Sequence, residues 1–158
     1  MSKPADPRVR QPGQSGRRGG TLVDVLMAIG GLAVIGAIAS VPLAAREQAI
    51  FAVSDADPAK WSLTLGNIAN ALDAIGADKA DIELVVYGPG IAMLKKDSAV
   101  ADRVAAALAR GVRIAACQNS MRAFKLQAAD LVPGVGVVPS GVVELIRREH
   151  AGYAYVRS

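Results

Sequence analysis

The chain has 158 residues, 52% of them hydrophobic and 4% aromatic, with one cysteine, one histidine and a formal net charge of +4. That length suits one small domain with an appendage. A single cysteine excludes an internal disulfide, and one histidine supports no histidine-based metal set.

The appendage comes first. Residues 1–20 are polar and rich in Pro, Gly and Arg, a composition that cannot bury a core and is expected to be disordered. Val25 to Ala45 carries no charge and approaches the ~20 residues of a bilayer-spanning helix. Three readings compete for it. A secretory signal needs a basic start, an apolar middle and small residues before the cut; Arg17-Arg18 and Ala37-Ile38-Ala39 or Leu43-Ala44-Ala45 supply them. The arginine pair also looks like a twin-arginine leader, although Gly19-Gly20-Thr21 and Asp24 depart from that pattern. An uncleaved anchor would leave residues 1–20 in the cytoplasm. A buried core helix is the third reading; Gly30, Gly31, Gly36 and the lack of a polar face count against it. The expectation is therefore a tail over 1–20, a signal peptide or transmembrane anchor over 21–45, and a domain over 46–158. That domain is expected to be exported to the periplasm or anchored in the inner membrane.

Lys3, Arg8, Arg10, Arg17 and Arg18 against Asp6 and Asp24 give the leader three of the four net charges. From Arg46 onward 13 Lys/Arg face 12 Asp/Glu, so the domain is nearly neutral. No basic patch with interleaved aromatics remains, and no nucleic-acid partner is expected.

Along the domain, Glu47 to Ser54 reads as a first strand. Asp57 then caps a helix that begins at Pro58, runs to Ile75 and stops at Gly76. Trp61, Leu65, Ile68, Leu72 and Ile75 make its buried stripe, with Thr64, Asn67, Asn70 and Asp73 away from it. Asp81 to Tyr87 is the second strand, ending in the loop Gly88-Pro89-Gly90. Ile91 to Lys96 reads as a short helical turn, and Asp97 or Ser98 caps a helix carrying Val100, Val104 and Leu108, closed by Gly111. The third strand, from Val112, ends at Cys117. A short helix over Asn119 to Leu126, a fourth strand over Val135 to Val138, a helix over Gly141 to Glu149 capped by Ser140, and a last strand over Gly152 to Val156 complete the domain. There is no internal repeat. Strand and helix alternate, which demands crossover connections. The fold class is α/β: a mainly parallel sheet of about five strands in a three-layer α/β/α sandwich, preceded by an N-terminal hydrophobic helix.

In open parallel sheets, ligands bind beyond the carboxyl ends of the strands. Ser54 to Asp57, Gly88-Pro89-Gly90 and Cys117-Gln118-Asn119 lie at three such ends and, on adjacent strands, would form one shallow pocket. Cys117 is the centre of it. A thiol where a strand gives way to a helix lies beside unpaired N–H groups and a positive dipole end, which favour the reactive thiolate. The alternative is a small buried hydrophobe, as free cysteine often is. Asn119 could hydrogen-bond a sulfur anion or ligand, or only cap its helix. Gly88-Pro89-Gly90 could admit a ligand to the backbone, or be a plain turn; it lacks the spacing and lysine of a phosphate loop. Glu144, before Arg147-Arg148, reads as an ion-pair partner, and His150 as solvent-facing.

Ser54-Asp-Ala-Asp-Pro-Ala-Lys-Trp61, Tyr87-Gly-Pro-Gly90, Ala116-Cys-Gln-Asn-Ser-Met121 and Val138-Pro-Ser-Gly-Val-Val-Glu-Leu-Ile146 resemble the DsrE/DsrF-like family with the YchN-type fold, within its branch of small uncharacterised members. The resemblance covers about Ile50 to Val156. It implies a parallel domain that assembles as a trimer or hexamer. It also implies a cysteine that carries sulfur as a persulfide, between donor and acceptor proteins, in sulfur oxidation or in relay toward tRNA thiolation. Asn119 and Met121 match the branch motif Cys-Gly-Asn-Thr-Met, while Gln118 replaces its glycine and Ser120 its threonine. No cofactor or metal is implied. The expected site is Cys117 as nucleophile, with Asn119, Met121, Gly88, Pro89 and Gly90 lining it; a non-catalytic oligomeric module that binds a small ligand, with a structural cysteine, is the alternative.

Overall fold

A computed structural model describes residues 46–157. The tail over 1–20, the signal or anchor over 21–45 and the N-terminal hydrophobic helix lie outside the described residues. Among the described residues no helix is long and apolar enough to cross a membrane.

Five strands alternate with helices: β1 (Glu47–Val53), α1 (Pro58–Ile75), β2 (Ala80–Val86), a 3-10 helix (Gly88–Leu94), α2 (Ala101–Ala109), β3 (Arg113–Cys117), α3 (Gln118–Ala123), a 3-10 turn (Ala128–Asp130), β4 (Gly136–Val138), α4 (Gly141–His150) and β5 (Ala154–Val156). The strands lie in the order β4-β3-β2-β1-β5, and every pairing is parallel. The three longest strands are therefore central and adjacent, with register running Val53 to Val86 and Val86 to Ala116. Their carboxyl ends fall side by side.

Local chemistry explains the main boundaries. The Asp57 carboxylate accepts the Ala59 N–H at 2.9 Å and Pro58 takes the first turn, where its missing N–H costs nothing. Gly76 closes the same helix by donating its N–H to the Leu72 carbonyl. The 3-10 helix begins at Gly88, three residues before the turn read from the sequence, and several strand ends shift by one or two residues. Two further differences have a plain local cause. Helix α2 starts at Ala101, because Ser98 and Val100 form a preliminary turn in which the Ser98 hydroxyl accepts the Val100 N–H, and Asp97 pairs with Lys95 instead of capping. Helix α3 stops at Ala123, because the chain reverses through Lys125 in the left-handed region and Leu126 bonds back to the Met121 carbonyl.

The two faces of the sheet are covered unequally. On one face Phe51, Val53, Ile82, Leu84, Val86, Ile114 and Ala116 meet Trp61, Leu65, Ile68 and Leu72 of α1, Val104 of α2 and the apolar side of the 3-10 helix. Each such fully buried aliphatic side chain contributes about 1.5–3 kcal/mol. Thr64 joins this stripe, contrary to the sequence expectation; its hydroxyl donates to the Lys60 carbonyl at 2.9 Å, so it is buried without an unpaired group. On the other face the apolar core is small: Ile50, Val85 and Ala115, with Leu145 of α4 and Tyr153. Alternation places Asp81, Glu83, Arg113 and Cys117 on this second face too.

Candidate functional site

Cys117 is the last residue of β3 and the residue from which α3 springs. Its partner across the β3–β4 ladder is Val138, two residues before Ser140, from which α4 starts. Both helices therefore begin beside the sulfur. The Cys117 side chain faces the Ser120 hydroxyl and the backbone N–H groups of Gly141, Ser120 and Asn119. Burial by itself would push the thiol up, since only 5% of the residue is exposed. The hydroxyl and the three N–H groups outweigh that and hold the Cys117 thiol below its ordinary value.

Ser120 is fixed for this role. Its oxygen accepts the Gly88 N–H at 2.7 Å, which leaves its own proton to be donated toward the sulfur. Gly141 is fixed by space. A side-chain carbon added there would lie 3.0 Å from Tyr87 Cβ, 3.2 Å from Val85 Cγ1 and 3.3 Å from Cys117 Cβ. A Cβ there would have to push these neighbours by a few tenths of an ångström, so glycine lets the start of α4 lie closest to the thiol.

The three strand-end loops converge: their backbones pack together at Gly88 and Gly90, and a hollow beside them is lined by Ser54, Asp55 and Tyr87. Gly90 donates its N–H to the Ser54 carbonyl at 3.0 Å, and a Cβ on Gly90 would lie 2.9 Å from the Val53 carbonyl oxygen. Gly88, at φ +55°, turns the chain so that its N–H meets Ser120. Gly88-Pro89-Gly90 is the first turn of the 3-10 helix, with Pro89 setting its pitch, and the Gly88 and Gly90 N–H groups are engaged within the protein. The segment supports Ser120 as a turn whose N–H groups are engaged within the protein. The Asn119 backbone N–H helps to lower the Cys117 thiol, while its side-chain oxygen accepts from Arg122. Met121 is buried in the larger core and also borders a groove with Gln118, Arg122, Lys125 and Val137.

Ser120 and Gly141 are the residues that sequence reasoning missed. Ser120 was legible only as a motif variant, and Gly141 only as a helix start. Also missed was a charged cluster on the second face. Arg148 Nε lies 2.8 Å from Glu83 Oε2 and 2.8 Å from Glu144 Oε1, and Arg113 Nε lies 3.2 Å from the same Glu83 oxygen. Arg113 also pairs with Asp81 at 2.8 Å, and the Tyr153 hydroxyl donates to Asp81 and accepts from Arg113. Burial pushes the Glu83 carboxyl up despite Arg148 and Arg113. Asp81 stays below the usual carboxylate value, since the Tyr153 hydroxyl and Arg113 outweigh its desolvation. Glu144 is thus an ion-pair partner, and His150 is exposed. Among the described residues no group of three or more His, Cys, Asp or Glu could hold a metal ion.

Solved structures share this architecture. The MTH1491 protein of Methanobacterium thermoautotrophicum, of unknown function, is 34% identical with a TM-score of 0.67, over 70% of this chain and 97% of that one. The ychN protein of E. coli is 17% identical with a TM-score of 0.59, over 71% and 99% of the two chains. BT1422 of Bacteroides thetaiotaomicron, also of unknown function, is 17% identical with a TM-score of 0.57, over 71% and 95%. No curated protein matches the chain. The DsrE/DsrF-like family model matches residues 48–157, from β1 through the strand after α4 and across the whole surround of Cys117. With the parallel sheet and the relatives in agreement, the chain belongs to the DsrE/DsrF-like family.

Proposed function

We infer that Cys117 is a sulfur carrier. In this reading the Cys117 thiolate attacks the outer sulfur of a donor persulfide. A new S–S bond forms to Sγ, the donor's S–S bond breaks, and the donor leaves as a thiolate. An acceptor thiolate then attacks the same outer sulfur and Cys117 departs as a thiolate. The two exchanges balance without an external oxidant or reductant, so one cysteine suffices. The observation that carries the reading is the place of Cys117, at the end of β3 where α3 begins and against Gly141 at the start of α4; the Ser120 hydroxyl and the nearby N–H groups hold its thiol below the ordinary value, which favours the anion needed as nucleophile and, later, as leaving group.

The low exposure of Cys117 favours a second reading, in which the cysteine is structural and the domain is a binding module. Intact mass separates the two. After incubation with a sulfane donor, the carrier gains the mass of one sulfur atom, and Cys117→Ser does not. No adduct on the native chain, with slow alkylation at neutral pH, overturns the carrier reading in favour of the module.

Two wider parts of the proposal have their own support. Val142, Val143 and Ile146 form an exposed apolar stripe on α4, which fits a homo-oligomer such as a trimer or hexamer. Export or membrane tethering rests on the uncharged run from Val25 to Ala45, and N-terminal sequencing of protein recovered from cells tests it.

A further inference from the structure

Helix α4 joins two places that the sequence gives no reason to connect. Its first residue, Gly141, packs against Cys117, a carbon added there lying 3.3 Å from Cys117 Cβ, and the Gly141 N–H favours the thiolate. Its last turn carries Arg148, bound to Glu83 on β2, and the side chain of Glu83 is only 3% exposed. Arg148 is seven residues beyond Gly141, a rise of about 10 Å. The apolar contact that holds this helix to the sheet is slight, with Leu145 its one buried aliphatic side chain. The charged clamp is accordingly a large part of what fixes the helix along its axis. We propose that Glu83 is a positioning residue for the Cys117 thiolate, holding α4 through Arg148 so that the Gly141 N–H stays aimed at the sulfur.

A direct field from Glu83 is a different effect, and it has the opposite sign. Glu83 pairs with Arg113, four residues before Cys117 on β3, a separation of about 13 Å along the strand. Both groups are buried, so salt screens this field little and it is distance that weakens it. What remains of a negative charge at that range raises a thiol pKa, so its removal would lower it. Loss of positioning removes a helix N–H from the thiolate and raises it. The charged and titratable groups facing Glu83 are Arg148 and Glu144 from α4 and Arg113 from β3, with Asp81 and Tyr153 completing the cluster through Arg113.

The inference rests on Cys117 being the working residue, but its test does not need sulfur transfer. In the full chain, the rate of Cys117 alkylation is measured against pH for the native protein and for Glu83→Gln. The expected result is a rise in thiol pKa of about half a unit, or roughly a threefold loss of thiolate at neutral pH. A pKa that is unchanged or lower in folded Glu83→Gln overturns the proposal. Should Glu83→Gln not fold, Arg148→Lys keeps the charge while losing the guanidinium geometry, and the thiol pKa should rise by a smaller amount; an unchanged pKa there overturns it equally. If the pKa rises but no sulfur adduct ever forms, the positioning role stands and the carrier reading falls.

Discussion

The two faces of the sheet use different physics. The face under α1, the 3-10 helix and α2 is an apolar core of large, fully buried side chains. The face under α4 has few apolar contacts and a chain of charges, Asp81–Arg113–Glu83–Arg148–Glu144, in their place. Cys117 belongs to the second face, at its carboxyl-end rim. Apolar burial on the first face is large and non-directional, and it sets stability. A helix on the second face is held by directional contacts, which give little net stability but fix its position. The lesson is a division of labour: one face holds the domain together and the other holds the thiol's surroundings in place.

Substitutions should show the division, beginning with the greatest loss. Leu84→Ala on the first face should cost about 2–5 kcal/mol in chemical denaturation, while the thiol pKa of the folded protein stays put. Gly141→Ala on the second face should cost about 1–3 kcal/mol, because the added carbon meets Tyr87, Val85 and Cys117, and it should raise the thiol pKa as α4 is pushed away. Comparable thiol shifts from both variants would break the comparison.

Ser120→Ala should cost about 1–2 kcal/mol, since it strips the Gly88 N–H of its acceptor and the sulfur of its O–H donor. Alkylation against pH should again show a raised thiol pKa. The pH dependence of stability sharpens the point. A thiol whose folded pKa is depressed binds fewer protons in the native state than in the unfolded one. Its stabilisation is therefore complete above the unfolded thiol value and is lost as pH falls through the folded value. Denaturation of the native chain and Cys117→Ser as pH rises should show the native chain gaining relative stability. Glu83 has the reverse sign: its raised carboxyl favours the native state most below its unfolded value and loses that contribution as pH rises through the folded one.

The smallest effect on stability should come from the outer side of α4. Ile146→Lys, at an exposed position, should change folding stability by no more than about 0.5 kcal/mol. Sedimentation should nevertheless show a lower association state, if that stripe is the contact between copies.

Much of the fold was legible because the signals were local and agreed with one another. Asp57-Pro58 opens α1, Gly76 closes it, and the apolar stripe between them faces the core as its spacing demands. Strand β3 and the helix after Cys117 were legible in the same way. The second face was not. In a sheet covered on both sides, alternation separates two sets of residues without saying which set is thinly covered. Asp81, Glu83 and Arg113 thus looked like ordinary strand charges until pairing β2 with β3 put Glu83 opposite Arg113. Gly141 was invisible for a related reason. Its importance lies in what a Cβ would strike on two other elements, and no local pattern encodes that.

The most direct measurement is the pKa of Cys117 itself, from alkylation rate against pH in the native protein. The Ser120 hydroxyl and the N–H groups beside the sulfur predict a value below that of an ordinary thiol, with half the maximal rate reached below pH 9.0. A thiol that titrates at or above 9.0 would contradict the account.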